Sequence, residues 1–100
     1  MVVSNGGRRP AVILQDEHYA GTLPVVLGVP LMAARAAMRF AGTVLVRPTA
    51  ENGLRLVSVA LVFQLRAIDR HRIQERIGSV SAEVLHEIFE ELGKLTGRSE

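Results

Sequence analysis

The 100-residue sequence contains no cysteine, which removes disulfides, thiol nucleophiles and thiolate metal sites from consideration and fits a reducing, cytoplasmic setting. Aromatic residues are scarce, with three Phe, one Tyr and no Trp, too few for a surface that holds nucleic acid mainly by stacking bases on rings. No apolar run approaches the roughly eighteen residues that a membrane span needs. The opening Met1-Val2-Val3-Ser4-Asn5-Gly6-Gly7-Arg8-Arg9-Pro10 reaches glycine and arginine before an apolar signal segment can form. A protein without membrane contact is therefore expected. His18, His71 and His86 have no metal-like spacing, so no metal or cofactor is expected. His18, in the loop after the first apolar run, is retained as an acid–base group.

Lysine is nearly absent too: eleven of the twelve basic residues are Arg, and the sequence pI is about 9.9 although the net charge is only +2. The planar fork of arginine matches phosphate oxygens. Composition leaves two readings open, a polyanionic partner and arginine as ordinary surface charge. The length is that of one domain, residues 1–100, and 48% hydrophobic residues supply one core. A domain of this size buries about two-thirds of its unfolded surface, so a dimer interface would add stability that the monomer lacks.

Along the chain, Ala11 to Gln15 reads as a buried strand. A second strand lies near Leu23–Leu31, bracketed by Pro24 and Pro30. Met32 to Phe40 consists mostly of strong helix formers, which predicts a short helix ended by Gly42. Thr43–Arg47 is a strand, and Asn52-Gly53 marks a turn before Leu56–Leu65, a run long enough for one bent strand or two joined at a bulge. Asp69 caps a short helix from Arg70 to about Arg76, which Gly78 ends. Ser81 caps the last helix, whose Val84, Leu85, Ile88, Phe89, Leu92 and Leu95 form an apolar stripe opposite Glu83, Glu87, Glu90 and Glu91, with Gly97 as its stop. Layer rules give a small α+β domain with a bent sheet or barrel.

Ser58-Val59-Ala60-Leu61-Val62-Phe63-Gln64-Leu65-Arg66-Ala67-Ile68-Asp69-Arg70, followed by Arg72-Ile73 and Arg76-Ile77-Gly78, resembles the MazF/PemK toxin family. Its usual pattern there is a valine-rich strand, D-Q-I-R-T-I-D, a basic short helix and I-G. Gly7-Arg8-Arg9-Pro10-Ala11-Val12-Ile13-Leu14 is similar to that family's G-x-R-P-x-L-V-x segment, and Val26-Leu27-Gly28-Val29-Pro30-Leu31-Met32 to its V-x-V-x-P-L-T strand. With the closing helix, the matches run in order from about Gly6 to Gly97. The resemblance implies an SH3-like β-barrel with a C-terminal amphipathic helix, assembled as a homodimer. It further implies the toxin of a type II toxin–antitoxin system, a metal-independent, sequence-specific endoribonuclease (mRNA interferase) that cuts single-stranded RNA. The partly disordered tail of a cognate antitoxin would block the RNA groove.

Metal-free RNA cleavage needs a base for the 2′-OH proton, a cation for the phosphorane charge and an acid for the departing 5′-oxygen. Arg9 falls on the family's catalytic arginine, and His18 is the accompanying acid–base group. Arg8, Gln64, Arg66 and Arg70 are the expected RNA contacts, with Arg72 and Arg76 extending a phosphate-tracking strip. Three departures bear on activity. Met32 stands where the family has a hydroxyl that contacts phosphate, and a thioether donates no hydrogen bond. Phe63 stands in place of Asp or Glu. Only Met1–Asn5 precede Gly6 where the family has its first strand, so a missing strand would leave a sheet edge unpaired. Two alternatives are a member that keeps antitoxin binding without catalysis, and a CcdB-like gyrase poison, whose V-I-P-L-A-S strand Val29-Pro30-Leu31-Met32-Ala33 echoes.

Overall fold

The computed structural model describes residues 1–5, 9–14, 23–34 and 41–98. Among the described residues, seven strands form one bent sheet: β1 (Val2–Asn5), β2 (Arg9–Ile13), β3 (Val25–Ala33), β4 (Thr43–Val46), β5 (Ser58–Leu61), β6 (Arg66–Asp69) and β7 (Ile73–Gly78). They are ordered β4-β5-β3-β2-β1-β7, with β6 also paired to β3. One helix, α1 (Ala82–Leu95), follows. The described pairings are antiparallel, and this strand-rich sheet with a C-terminal helix is the expected α+β architecture, although among the described residues the sheet is not closed into a full barrel. The helix packs on one face of the sheet: Ile88 is fully buried in one cluster with Val44 and Val46 of β4 and Val2 of β1. Burying a side chain of this size contributes about 1.5–3 kcal/mol.

The nine-residue β3 is the hub. Its first half, Val25–Gly28, pairs with β6, its last three residues pair with β5, and Gly28–Pro30 pair with β2 on the other edge. Val29 and Pro30 fall between the β6 and β5 registers, so the missing N–H of Pro30 costs no ladder bond there. Pro30 therefore lies within the strand instead of ending it. Gly28 lies against the tip of the Ile68 side chain, which would have to turn aside to admit a Cβ.

Alternation along the strands divides the apolar residues between two faces. Val2, Val12, Val29 and Leu31 join the cluster under α1, whereas Val3, Ala11, Ile13, Val26 and Ile68 form a second buried cluster on the opposite face. Burial on both sides explains why Ala11–Leu14 reads as an unbroken apolar run.

Several expectations change. The short N-terminal segment does supply a strand: Val2–Asn5 pairs with β2 on one side and β7 on the other, so no edge is left open at that place. Met32 and Ala33 extend β3, since pairing with Val59 and Ser58 overrides their helix preference; residues 35–40 of the expected helix lie outside the described residues. The Leu56–Leu65 run contains only β5 and is broken by a 3-10 turn, Val62–Gln64. Asp69 does cap a turn, its carboxylate accepting from the His71 N–H at 2.9 Å, but that turn spans only Arg70–Arg72. Ile73–Gly78 is then strand β7, because pairing with β1 satisfies its backbone and β-branched Ile73 and Ile77 favour extended structure.

The last helix matches its sequence signals. Ser81 Oγ accepts from the Val84 N–H at 3.1 Å, Glu83 lies in the first turn and Lys94 in the last, and Gly97 takes φ +76° beyond the end. The apolar stripe is wider than the contact it makes: Ile88 is buried, Val84 and Leu92 are half-buried, and Phe89 and Leu95 remain 48% and 46% exposed. Glu91 fastens the helix to the start of β4 by accepting from the Gly42 N–H at 3.1 Å. It also accepts from Lys94 Nζ at 3.1 Å, and the Lys94 bond first, then the Gly42 N–H, hold its carboxyl below the usual range.

Candidate functional site

The segment between β4 and β5 is shaped by one side chain. Asn52 is only 3% exposed. Its Oδ1 accepts from the Thr49 N–H at 3.0 Å and the Leu54 N–H at 2.9 Å, its Nδ2 donates to the Arg47 carbonyl at 2.8 Å, and its own N–H donates to Thr49 Oγ1 at 3.0 Å. These bonds use the donors and acceptors of the amide in the way an Asx turn does, which is why Asn and not an apolar residue belongs here. Gly53 follows with φ +68°, and a Cβ on it would meet the Ile77 carbonyl. The chain is thus turned sharply, and Leu54, Arg55 and Leu56 are delivered beside the end of β3.

There they complete a cavity of about 500 Å³ lined by Pro10 of β2, Leu31, Met32 and Ala33 of β3, Leu54, Arg55 and Leu56 of the turn segment, and Ser58 of β5. The lining is mostly apolar. Ser58 donates its hydroxyl to the Leu56 carbonyl at 3.0 Å, and Arg55 is the one charged residue among the described lining residues. Its volume suits a small organic molecule or a nucleotide.

Of the sequence-derived site residues, Arg8 and His18 lie outside the described residues. Arg9 opens β2, its backbone opposite Asn5, and immediately precedes Pro10 of the cavity. Gln64 is exposed at the end of the 3-10 turn after β5. Arg66, opposite Gly28, lines a different cavity of about 450 Å³ with Val25, Ala67, Ile68, Asp69 and Arg72. Arg70 is turned back onto the chain before β3: its N–H donates to the Pro24 carbonyl at 3.2 Å and its Nη1 to the Leu23 carbonyl at 3.3 Å. Gln64, Arg66 and Arg70 are therefore not among the residues that surround Pro10 and Met32.

Met32 is half-buried in the first cavity wall. Phe63, 45% exposed, instead sits by Gly42, its N–H donating to the Gly42 carbonyl at 3.3 Å. In the second cavity the Asp69 carboxyl is held below its ordinary range, first by the His71 backbone N–H and then by the His71 ring. His86 pairs with Glu90 at 3.0 Å along α1. Among the described residues no three His, Asp or Glu come together as metal ligands would, and no helix is long and apolar enough to cross a membrane. Arg55 carries one signal in the sequence, a cation flanked by leucines just after the Asn52-Gly53 turn.

No curated protein matches the sequence. Among solved structures, the chain is similar to the Mycobacterium tuberculosis toxin MazF-mt6, with 23% identity, TM-score 0.80, and 99% of this chain and 96% of that one covered. It is similar to MazE–MazF from Deinococcus radiodurans (form II), with 30% identity, TM-score 0.74, and 98% and 90% covered. An endoribonuclease in complex with its cognate antitoxin from a mycobacterial species shares 14% identity and the fold, with TM-score 0.77 over 96% and 90% of the two chains. A sequence profile of the PemK-like, MazF-like toxins of type II toxin–antitoxin systems matches residues 3–96, and with these strands, this helix and this match over nearly the whole length, the chain belongs to that toxin family.

Proposed function

We propose that the protein is the toxin of a toxin–antitoxin pair and acts as a sequence-specific endoribonuclease on single-stranded messenger RNA without a metal. The observation that carries this reading is the first cavity. Pro10 of the Arg9-Pro10 segment and Met32 of the Pro30-Leu31-Met32 segment, far apart in sequence, line the same space. In the proposed reaction the 2′-oxygen attacks the adjacent phosphorus, the bond to the 5′-oxygen breaks, and a cyclic phosphate and a 5′-hydroxyl result. Arg9 balances the charge that develops on the phosphorane. His18 moves the proton taken from the 2′-hydroxyl or given to the 5′-oxygen. Arg8, Gln64, Arg66 and Arg70 contact the RNA beyond the scissile phosphate. A cognate antitoxin is the expected partner, by analogy with the solved MazE–MazF and endoribonuclease–antitoxin complexes; binding through the antitoxin's tail and pairing with a second copy of the chain are what the family resemblance implies. A gyrase poison is disfavoured, because the profile match over residues 3–96 is to the PemK-like family.

The test is incubation of the purified protein with defined transcripts in the presence of a chelator, followed by mapping of new 5′ ends. Recurrent cuts at a short sequence are expected, and Arg9→Ala should lower the cleavage rate by about 10²–10³. Transcripts left intact by the folded wild-type protein would refute the reading. Met32 in the cavity wall favours a second reading, in which catalysis is impaired; Met32→Thr, which restores a hydroxyl, should then raise cleavage above the wild type.

A further inference from the structure

We infer that Arg55 is an RNA phosphate anchor of the first cavity, a role that rests on the endoribonuclease reading and goes beyond it. The cavity walls are poor in free donors. The side chains of Leu31, Met32, Leu54 and Pro10 carry no hydrogen-bond donor, the Leu54 N–H is held by Asn52 Oδ1, and the Ser58 hydroxyl already donates to the Leu56 carbonyl. An anion entering this space finds among the described lining residues one charged donor, the Arg55 guanidinium.

Arg55 is exposed and makes no side-chain hydrogen bond or ion pair with any described residue, so its five donors are not committed elsewhere in that part of the fold. Its backbone is fixed in advance, because Asn52 Oδ1 holds the Leu54 N–H and the Gly53 turn abuts Ile77. A guanidinium on a pre-formed turn beside an apolar cavity of about 500 Å³ fits a ligand with an apolar planar body and an anionic group. A nucleotide has that form: its base lies against leucine and methionine, and its phosphate meets the arginine fork. Contact with phosphate carries no base information, so Arg55 strengthens binding evenly across sequences.

The experiment uses the full chain and single-stranded oligonucleotides of random sequence with 2′-fluoro in place of the 2′-hydroxyl, which removes the attacking nucleophile. Affinity is measured by fluorescence anisotropy across a series of KCl concentrations, after circular dichroism has shown each variant folded. Arg55→Ala should reduce the slope of log affinity against log salt by about 0.7, the loss of one single-strand phosphate contact, and Arg55→Lys should keep the wild-type slope. Arg98→Ala, beyond α1 and not on the cavity wall, should leave the slope unchanged. An unaltered slope in Arg55→Ala, or an equal fall in Arg98→Ala, overturns the assignment while the nuclease reading stands. A wild-type protein with no salt-dependent binding defeats both.

Discussion

The two cavities at opposite ends of β3 are built in different ways. The first draws its walls from β2, β3, the β4–β5 turn segment and β5, is mainly apolar, and owes its shape to the buried Asn52. The second takes everything but Val25 from the single stretch Arg66–Arg72, and three of its lining residues are charged. A site gathered from distant segments exists only if the whole sheet is correctly assembled. A site made by one stretch needs little more than that stretch's own turn. Stability and binding should therefore be coupled at the first cavity and separable at the second.

The largest effect is expected for Asn52→Ala, which leaves the Arg47 carbonyl and the Thr49 and Leu54 N–H groups without their side-chain partner. Stability in urea unfolding should fall by about 2–4 kcal/mol, together with RNA affinity; a variant as stable as the wild type would break the contrast. The double substitution of Arg66 and Arg72 by alanine removes exposed charge without uncovering any core. It should change stability by no more than about 0.5 kcal/mol while flattening the salt dependence of RNA binding, and a stability loss equal to that of Asn52→Ala would show that the second cavity is not local. The smallest effect concerns acid. The Asp69 carboxyl is lower in the folded chain than its ordinary 3.8, so its hold on the Arg70–Arg72 turn is complete at neutral pH and disappears as pH falls through that lowered value. The amide signal of His71 should shift with a midpoint below 3.8, and Asp69→Asn should abolish the shift.

Much of this architecture is legible in the sequence where one local cause decides. Ser81, Asp69 and Gly97 act through their immediate neighbours, and each does what its residue type suggests. Strands buried on both faces are equally readable, since Ala11–Leu14 has no polar side to expose. The failures have a common cause in pairing at long range. Met32-Ala33 favours helix by composition, and the Asp69 cap points to a helix running on past Arg72, but β5 and β1 supply partners that no local window contains. Phe63 and Met32 are equivalent departures from the family pattern in the sequence, yet of the two Met32 alone lines the first cavity. Arg66 and Arg70 are close in sequence, but the backbone sends one into the second cavity and ties the other to Leu23. Arg55 is not legible in the sequence, because a cation between two leucines has no assigned place until the Asn52 turn sets it on the cavity wall.

Gly78 has a consequence for the first cavity although it lies outside it. A Cβ there would strike the Glu51 carbonyl and the Asn52 backbone, so the end of β7 rests directly on the turn segment that carries Arg55, and the Ser79 N–H donates to the Glu51 carbonyl at 2.8 Å. Gly78 is also opposite Val2, and further along β1 Ser4 is opposite Pro10. The two sides of the cleft are thereby braced through a loop of contacts that runs behind it, from Pro10 through β1 and β7 to Asn52. Widening the cleft for a bulky guest would have to displace the N-terminal strand as well, which makes those few opening residues part of the frame that sets the gauge of the entrance.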